Sequence, residues 1–150
     1  PRLLALKATL LWRLGKPDEA EKAANEALEG DSEARALALD TLGELARSRG
    51  AFDEAMKFYK RAGVLWRAVG NHRRWVLDLN NVGIVFGSKG NDEKALAQFQ
   101  LALESAGDNA MLKGLIMGNI AISLEHLERW DETIQTYNET ILLAKGSQFT

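Results

Sequence analysis

Leu39-Asp40-Thr41-Leu42-Gly43-Glu44-Leu45, followed by Gly50-Ala51-Phe52-Asp53-Glu54-Ala55 and Tyr59-Lys60-Arg61-Ala62, is the stretch that decides the fold. Gly50 punctuates two runs that carry small and apolar residues at helical spacing. Asp53 and Glu54 then suit the positive end of a new helix, where Asp can also cap free amides. Gly43 costs a helix about 1 kcal/mol relative to Ala. Its presence mid-helix therefore predicts a tight contact between paired antiparallel helices, with a large ring filling the gap one turn away.

Working outward, the same arrangement recurs. Gly15-Lys16-Pro17-Asp18-Glu19-Ala20, Gly90-Asn91-Asp92-Glu93-Lys94-Ala95 and the degenerate Glu128-Arg129-Trp130-Asp131-Glu132-Thr133 repeat the turn, the acidic pair and the small residue. Seven residues after the small one stands another: Ala27, Ala62, Ala102 and, more weakly, Thr140. Between them lies Tyr59, Phe99 or Tyr137, with Ala24 in that place in the first unit. Seven residues before each turn is a further small residue. From Ala8 to Gly43 is 35 residues, to Gly83 another 40, and to Ala121 another 38. Fixed-period self-similarity of this length is the signature of stacked helical hairpins.

The pattern resembles the tetratricopeptide repeat family, whose unit is a helix-turn-helix of about 34 residues. Leu39, Leu42, Gly43, Gly50, Ala55, Tyr59 and Ala62 fall on consensus places. So do Leu79, Val82, Gly83, Phe86, Gly90, Ala95, Phe99 and Ala102. The fourth unit departs in Glu128, Thr133 and Thr140, and the Pro that ends the family's second helix is missing throughout. The longer units resemble those of bacterial transcriptional activators and of scaffolds that grip extended peptides.

The resemblance implies an all-α α-solenoid of four hairpins, about eight helices, forming a right-handed superhelix. First helices are expected over roughly 2–14, 33–49, 72–89 and 109–127, and second helices over roughly 17–29, 52–69, 92–106 and 131–145. The chain reads as one domain with repeats at roughly 1–34, 35–71, 72–108 and 109–150. It opens with Pro1 and reads as a piece of something longer, or as a processed or trimmed chain.

The composition limits the function. Nineteen Lys and Arg against 21 Asp and Glu leave a net charge of −2, without the basic stripe that a nucleic-acid binder needs. His72-Arg73-Arg74 is too short to supply one. No apolar run is long enough to span a membrane. The chain has no cysteine, which excludes thiolate catalysis and disulfides and fits a cytoplasmic setting. His72 and His126 stand apart, and no nucleophile elbow, phosphate loop or dinucleotide motif occurs. No catalytic residue, cofactor or metal site is expected, and the chain reads as a binding protein rather than an enzyme.

In the family the first helices line the concave wall. The resemblance therefore places peptide-groove residues at Asp40, Glu44 and Arg47, at Asn80, Asn81, Ile84 and Ser88, and at Asn119, Ile122 and Glu125. Asn81 and Asn119 share one slot, where an amide can both donate to and accept from an extended backbone. Asp40 and Glu44 stand where a clamp for a C-terminal carboxylate would need cations, so a ligand with some basic character is expected. Arg73, Arg74 and Trp75 either flank the groove entrance or form a solvated helix end with a core tryptophan. Trp12, Trp66, Tyr59, Phe99, Trp130 and Tyr137 are expected to fill the core. The partner is a protein or extended peptide. A solenoid also needs covered ends, yet Leu3-Leu4-Ala5-Leu6 and Ile141-Leu142-Leu143-Ala144 are apolar. Flanking repeats or a homo-oligomer are expected to cover them, which makes self-association the alternative function.

Overall fold

The computed structural model describes residues 1–147 and is all-α over them. Eight helices follow in order: α1 (Arg2–Arg13), α2 (Pro17–Ala27), α3 (Ser32–Ser48), α4 (Phe52–Ala68), α5 (His72–Ser88), α6 (Asp92–Ser105), α7 (Ala110–His126) and α8 (Trp130–Ser147). Each boundary lies within about two residues of the one read from the repeat. The chain forms two compact units, Pro1–Asp78 and Leu79 onward, so α5 contributes to both.

Helix ends follow from turn chemistry, although the capping groups differ from those expected. Gly15, Gly50, Gly70, Gly90 and Gly107 all take positive φ after a helix, the conformation in which a glycine carries no Cβ penalty. Glu128 takes the same conformation at φ 57° without that freedom. The acidic pairs Asp18–Glu19, Asp53–Glu54 and Asp92–Glu93 lie inside the first turns of α2, α4 and α6, favourable to the helix dipole. Side-chain caps come from the residue just before α3, α5, α6 and α7, whereas α2 and α4 have none. Asp31 accepts from the Ala34 amide at 2.9 Å, Asn71 from Arg74 at 3.2 Å, Asn91 from Lys94 at 3.2 Å and Asn109 from Leu112 at 3.0 Å.

In the first unit α1 packs on α2, α3 on α4, and α3 lies against both α1 and α2. Its core is largely alanine and leucine, with Ala5, Ala8, Ala20, Ala24, Leu39 and Leu45 buried around Trp66. Small side chains let the helices approach. In the second unit α7 packs on α8 and on α6, and Val82, Val85, Phe99, Leu112, Ile116 and Leu124 are buried.

The glycine-under-ring contact forms in both middle hairpins. A Cβ on Gly43 would sit 2.7 Å from Tyr59 Cε1, and one on Gly83 would sit 2.4 Å from Phe99 Cε1. In each case Cδ1 and Cζ of the same ring would also lie within 3.0 Å. Gly83→Ala is therefore expected to destabilise the chain by about 1–3 kcal/mol, despite alanine's better helix propensity. Adding Phe99→Leu should recover part of the loss, as read by urea denaturation. Glu128→Gly, by contrast, removes a left-handed non-glycine residue and should raise stability by about 1 kcal/mol. Equal thermal midpoints for the Glu128 variant and the parent would show that the turn carries no strain.

Candidate functional site

The proposed wall residues lie on α3, α5 and α7, and the structure treats them in two ways. On α3 they are engaged within the first unit. Glu44 accepts the Tyr59 hydroxyl at 2.8 Å and the Arg47 guanidinium at 2.7 Å. Burial, with the Glu44 carboxylate beside it, holds the Tyr59 phenol well above its usual range, so it remains a donor. Asp40 accepts from Trp66 Nε1 at 2.9 Å, with Arg74 at 3.7 Å. These two acids are therefore neutralised by their own hairpin and its neighbour, which withdraws the reason for expecting a basic ligand. Arg74 is likewise no solvated helix end, because its guanidinium also lies 5.5 Å over the Trp66 ring. Arg73 is exposed. Trp75 is half-buried, packs on the core, and carries Arg67 at 5.1 Å over its ring.

A carboxyl pair here escaped sequence reasoning. Asp40 on α3 and Asp78 on α5 are side-chain neighbours, and Asp40 Oδ1 is buried without a donor. Burial pushes the Asp40 pKa up to about 6, and Glu44 adds to the rise. Asp78, Trp66 and Arg74 pull the other way. One proton shared by the pair supplies the donor that two carboxylates lack. Residues 38 positions apart on different hairpins leave no local motif to find.

The second unit is arranged differently. Asn119 Nδ2 donates to Asn80 Oδ1 at 2.8 Å, tying α7 to α5. Asn80 is buried, and its carbonyl oxygen is engaged in that contact. Asn119 is half-buried and shares in it. Asn81 and Ile84 remain half-buried, and Ser88 and Ile122 are exposed. Ile84 and Ile122 hold the same place, one residue after the small slot, on successive first helices. Glu125 accepts the Tyr137 hydroxyl at 2.8 Å, which fixes the direction of its carboxylate.

Of the aromatics expected in the core, Tyr59, Phe99 and Trp66 are buried, and Trp12 packs against it. Trp130 and Tyr137 are not. They are 58% and 41% exposed, because among the described residues no helix follows α8 to cover them. His126 Nδ1 lies 3.2 Å from Asp92 Oδ1, joining α7 to α6. Among the described residues no group of three His, Cys, Asp or Glu side chains could hold a metal ion, and no helix is long and apolar enough to cross a membrane.

Comparison with known proteins agrees with this geometry. Residues 6–65 match the family model described as tetratricopeptide repeat. The crystal structure of BtubC from P. vanneervenii superposes with a TM-score of 0.84 at 16% identity, over 97% of this chain and 63% of that one. That of MamA gives 0.75 at 16% identity, over 98% of this chain and 80% of that one. A Podosopora anserina structure with nearly identical TPR-like repeats gives 0.76 at 11% identity, over 98% and 76%. In sequence, the HTH-type transcriptional regulator MalT of Serratia proteamaculans is 26% identical over 147 residues, covering 91% of this chain. The chain spans 16% of that regulator's length.

The carboxyl pair sets a pH dependence. The folded state holds the Asp40 proton more tightly than the unfolded chain, whose carboxyl titrates near 4. Stability from this group is therefore greatest at low pH and falls as pH rises through about 4 to 6, by up to about 3 kcal/mol. Asp40→Asn keeps an acceptor for Trp66 and a donor for Asp78 at every pH. Its urea midpoint should exceed the parent's at pH 8 and approach it at pH 4.5. A constant difference across that range would dismiss the shared proton.

Proposed function

The chain carries tetratricopeptide repeats, and we propose that it is a binding scaffold that holds an extended segment of another protein, with no catalytic role of its own. Such repeats generally mediate protein–protein interaction, and scaffolds of this fold are typically non-catalytic. The observation that carries the reading is the α5–α7 wall of the second unit. There the Asn80–Asn119 hydrogen bond fixes two first helices side by side, and both present an isoleucine, Ile84 and Ile122, at the same repeat position. Asn81, half-buried beside them, has an amide able to pair with a peptide backbone of any sequence. Ser88 and the oriented Glu125 add polar partners. Apolar side chains flanking a backbone-reading amide suit a peptide whose alternate residues are apolar.

On α3 the picture is narrower. Asp40, Glu44 and Arg47 act first as hairpin supports, so Arg47 is the one of the three whose length would let it also reach a ligand. The likeness to part of the MalT regulator supports placing this segment as the interaction or sensor part of a larger cytoplasmic regulatory protein.

A random peptide library displayed on phage should yield peptides that the purified chain retains. Ile84→Glu with Ile122→Glu should weaken them at least tenfold, about 1.4 kcal/mol, while leaving the far-ultraviolet circular dichroism unchanged. Peptides that bind both proteins equally, or a failure to enrich any, would place recognition away from the α5–α7 wall.

A further inference from the structure

The second hairpin carries a groove that none of the wall residues enters. Arg35 and Leu39 of α3 and Lys60, Arg61, Val64 and Leu65 of α4 enclose an open cavity of about 360 Å³, at the small end of the range that ligand sites occupy. At 100° per residue, Arg35 stands about 140° round α3 from Asp40. The groove and the side of α3 that bears Asp40, Glu44 and Arg47 are therefore separate surfaces. The hairpin that holds it is flanked in the chain by complete hairpins on both sides.

The floor is apolar and the rim is cationic. Leu39 is 1% exposed and Leu65 is half-buried against the core, while Val64 stands 70% exposed at the edge. Lys60 and Arg61 add their aliphatic stems to this lining, as long cationic side chains do when their heads reach water. No acidic side chain lines the groove. Arg35, Lys60 and Arg61 are all exposed, and among the described residues none of them makes an ion pair or a side-chain hydrogen bond. Arg47, Arg49 and Arg74 of the same unit differ, with a carboxylate at 2.7, 2.8 and 3.7 Å respectively. Three like charges round one apolar floor repel each other, and an anion placed among them relieves that repulsion.

The repeat itself does not call for this charge. The places of Arg35, Lys60 and Arg61 are held by Trp75, Gln100 and Leu101 in the third hairpin and by Lys113, Asn138 and Glu139 in the fourth. In the first hairpin the two second-helix places are Asn25 and Glu26. We propose that the groove docks an acidic segment of a partner protein, seating one apolar side chain on Leu39 and Leu65 with carboxylates at Arg35, Lys60 and Arg61. Charge complementarity sets the sign of the partner, and the apolar floor favours a peptide with a hydrophobic anchor over a bare polyanion. A chain of net charge −2 repels a long polyanion beyond the rim, so a short acidic stretch fits best. Recognition here does not require the α5–α7 wall.

Selection of a displayed peptide library on the Ile84→Glu, Ile122→Glu chain, in which that wall is disabled, tests the groove. Retained peptides should carry acidic residues flanking one large apolar residue. Synthetic copies should bind the parent and this variant equally, read by fluorescence anisotropy. Arg35→Glu with Arg61→Glu, both at exposed positions, should weaken them at least about tenfold, with the helical circular dichroism unchanged. On the parent itself, raising salt from about 50 to about 500 mM should weaken binding several-fold, because exposed charges are screened. Failure to enrich any peptide, enriched peptides without acidic residues, or equal binding by the charge-reversed chain overturns the acidic partner. So does affinity that ignores salt. An oligothymidylate or a phosphatidylserine vesicle held through Arg35 and Arg61 more tightly than the peptides also overturns it, and assigns the groove to nucleic acid or to a lipid surface.

Discussion

The contact on which each middle hairpin depends is a ring pressed against a glycine. Tyr59 against Gly43 and Phe99 against Gly83 leave no room for even a methyl group. The consequence extends beyond the pair of helices. A first helix that approaches this closely cannot place large side chains at the small slot, so its apolar bulk moves to the flanks, where the neighbouring hairpins lie. The terminal hairpins depart from the rule: Ala24 holds the ring's repeat position in the first, and Tyr137 holds it in the last with 41% of the residue exposed. The glycine–ring pair is therefore a device of the two middle hairpins.

The Tyr59 hydroxyl extends this packing contact into electrostatics. Because the ring lies flat under Gly43, its oxygen emerges beside Glu44, which in turn orders Arg47. A side chain that looks from the sequence like a groove acid is thus the acceptor of a core tyrosine. In the last unit Tyr137 makes the same kind of bond to Glu125, one turn further along the first helix, because Ile122 occupies the place of Glu44. The same ring position can therefore orient different wall residues, and this is one way a shared scaffold presents different surfaces.

Periodicity made the fold legible. Helix boundaries came within about two residues because small residues, turn glycines and acidic first turns all repeat, and each has a local physical cause. What stayed hidden depends on contacts between hairpins. The Asp40–Asp78–Arg74–Trp66 cluster, the Asn80–Asn119 bond and the His126–Asp92 contact each join residues about 30 or more positions apart, or on separate helices, with no spacing rule to predict them. Trp130 and Tyr137 were misjudged for a related reason. Their helical spacing is that of core residues, but burial of a second-helix stripe requires a following first helix, and a pattern within α8 cannot report whether one is there. Site residues were legible as positions on the first helices. Whether each was free or engaged was not.

The ends of the chain follow from the same asymmetry that builds its interior. A hairpin in this repeat has two unlike faces, one made by its first helix and one by its second, and stacking always joins unlike faces. Such an arrangement has no internal signal for stopping, since every added unit exposes the face that the next would need. It ends only where the terminal face turns polar. α2 of the first hairpin is well supplied with Glu and Lys, but it is α1 that carries the open face, and α1 bears three leucines there. α8 combines Trp130, Ile134, Tyr137 and Ile141 on its open face in place of the charges that would close it. The outer faces of α1 and α8 therefore have the apolar composition that the same repeat positions bury elsewhere in the chain.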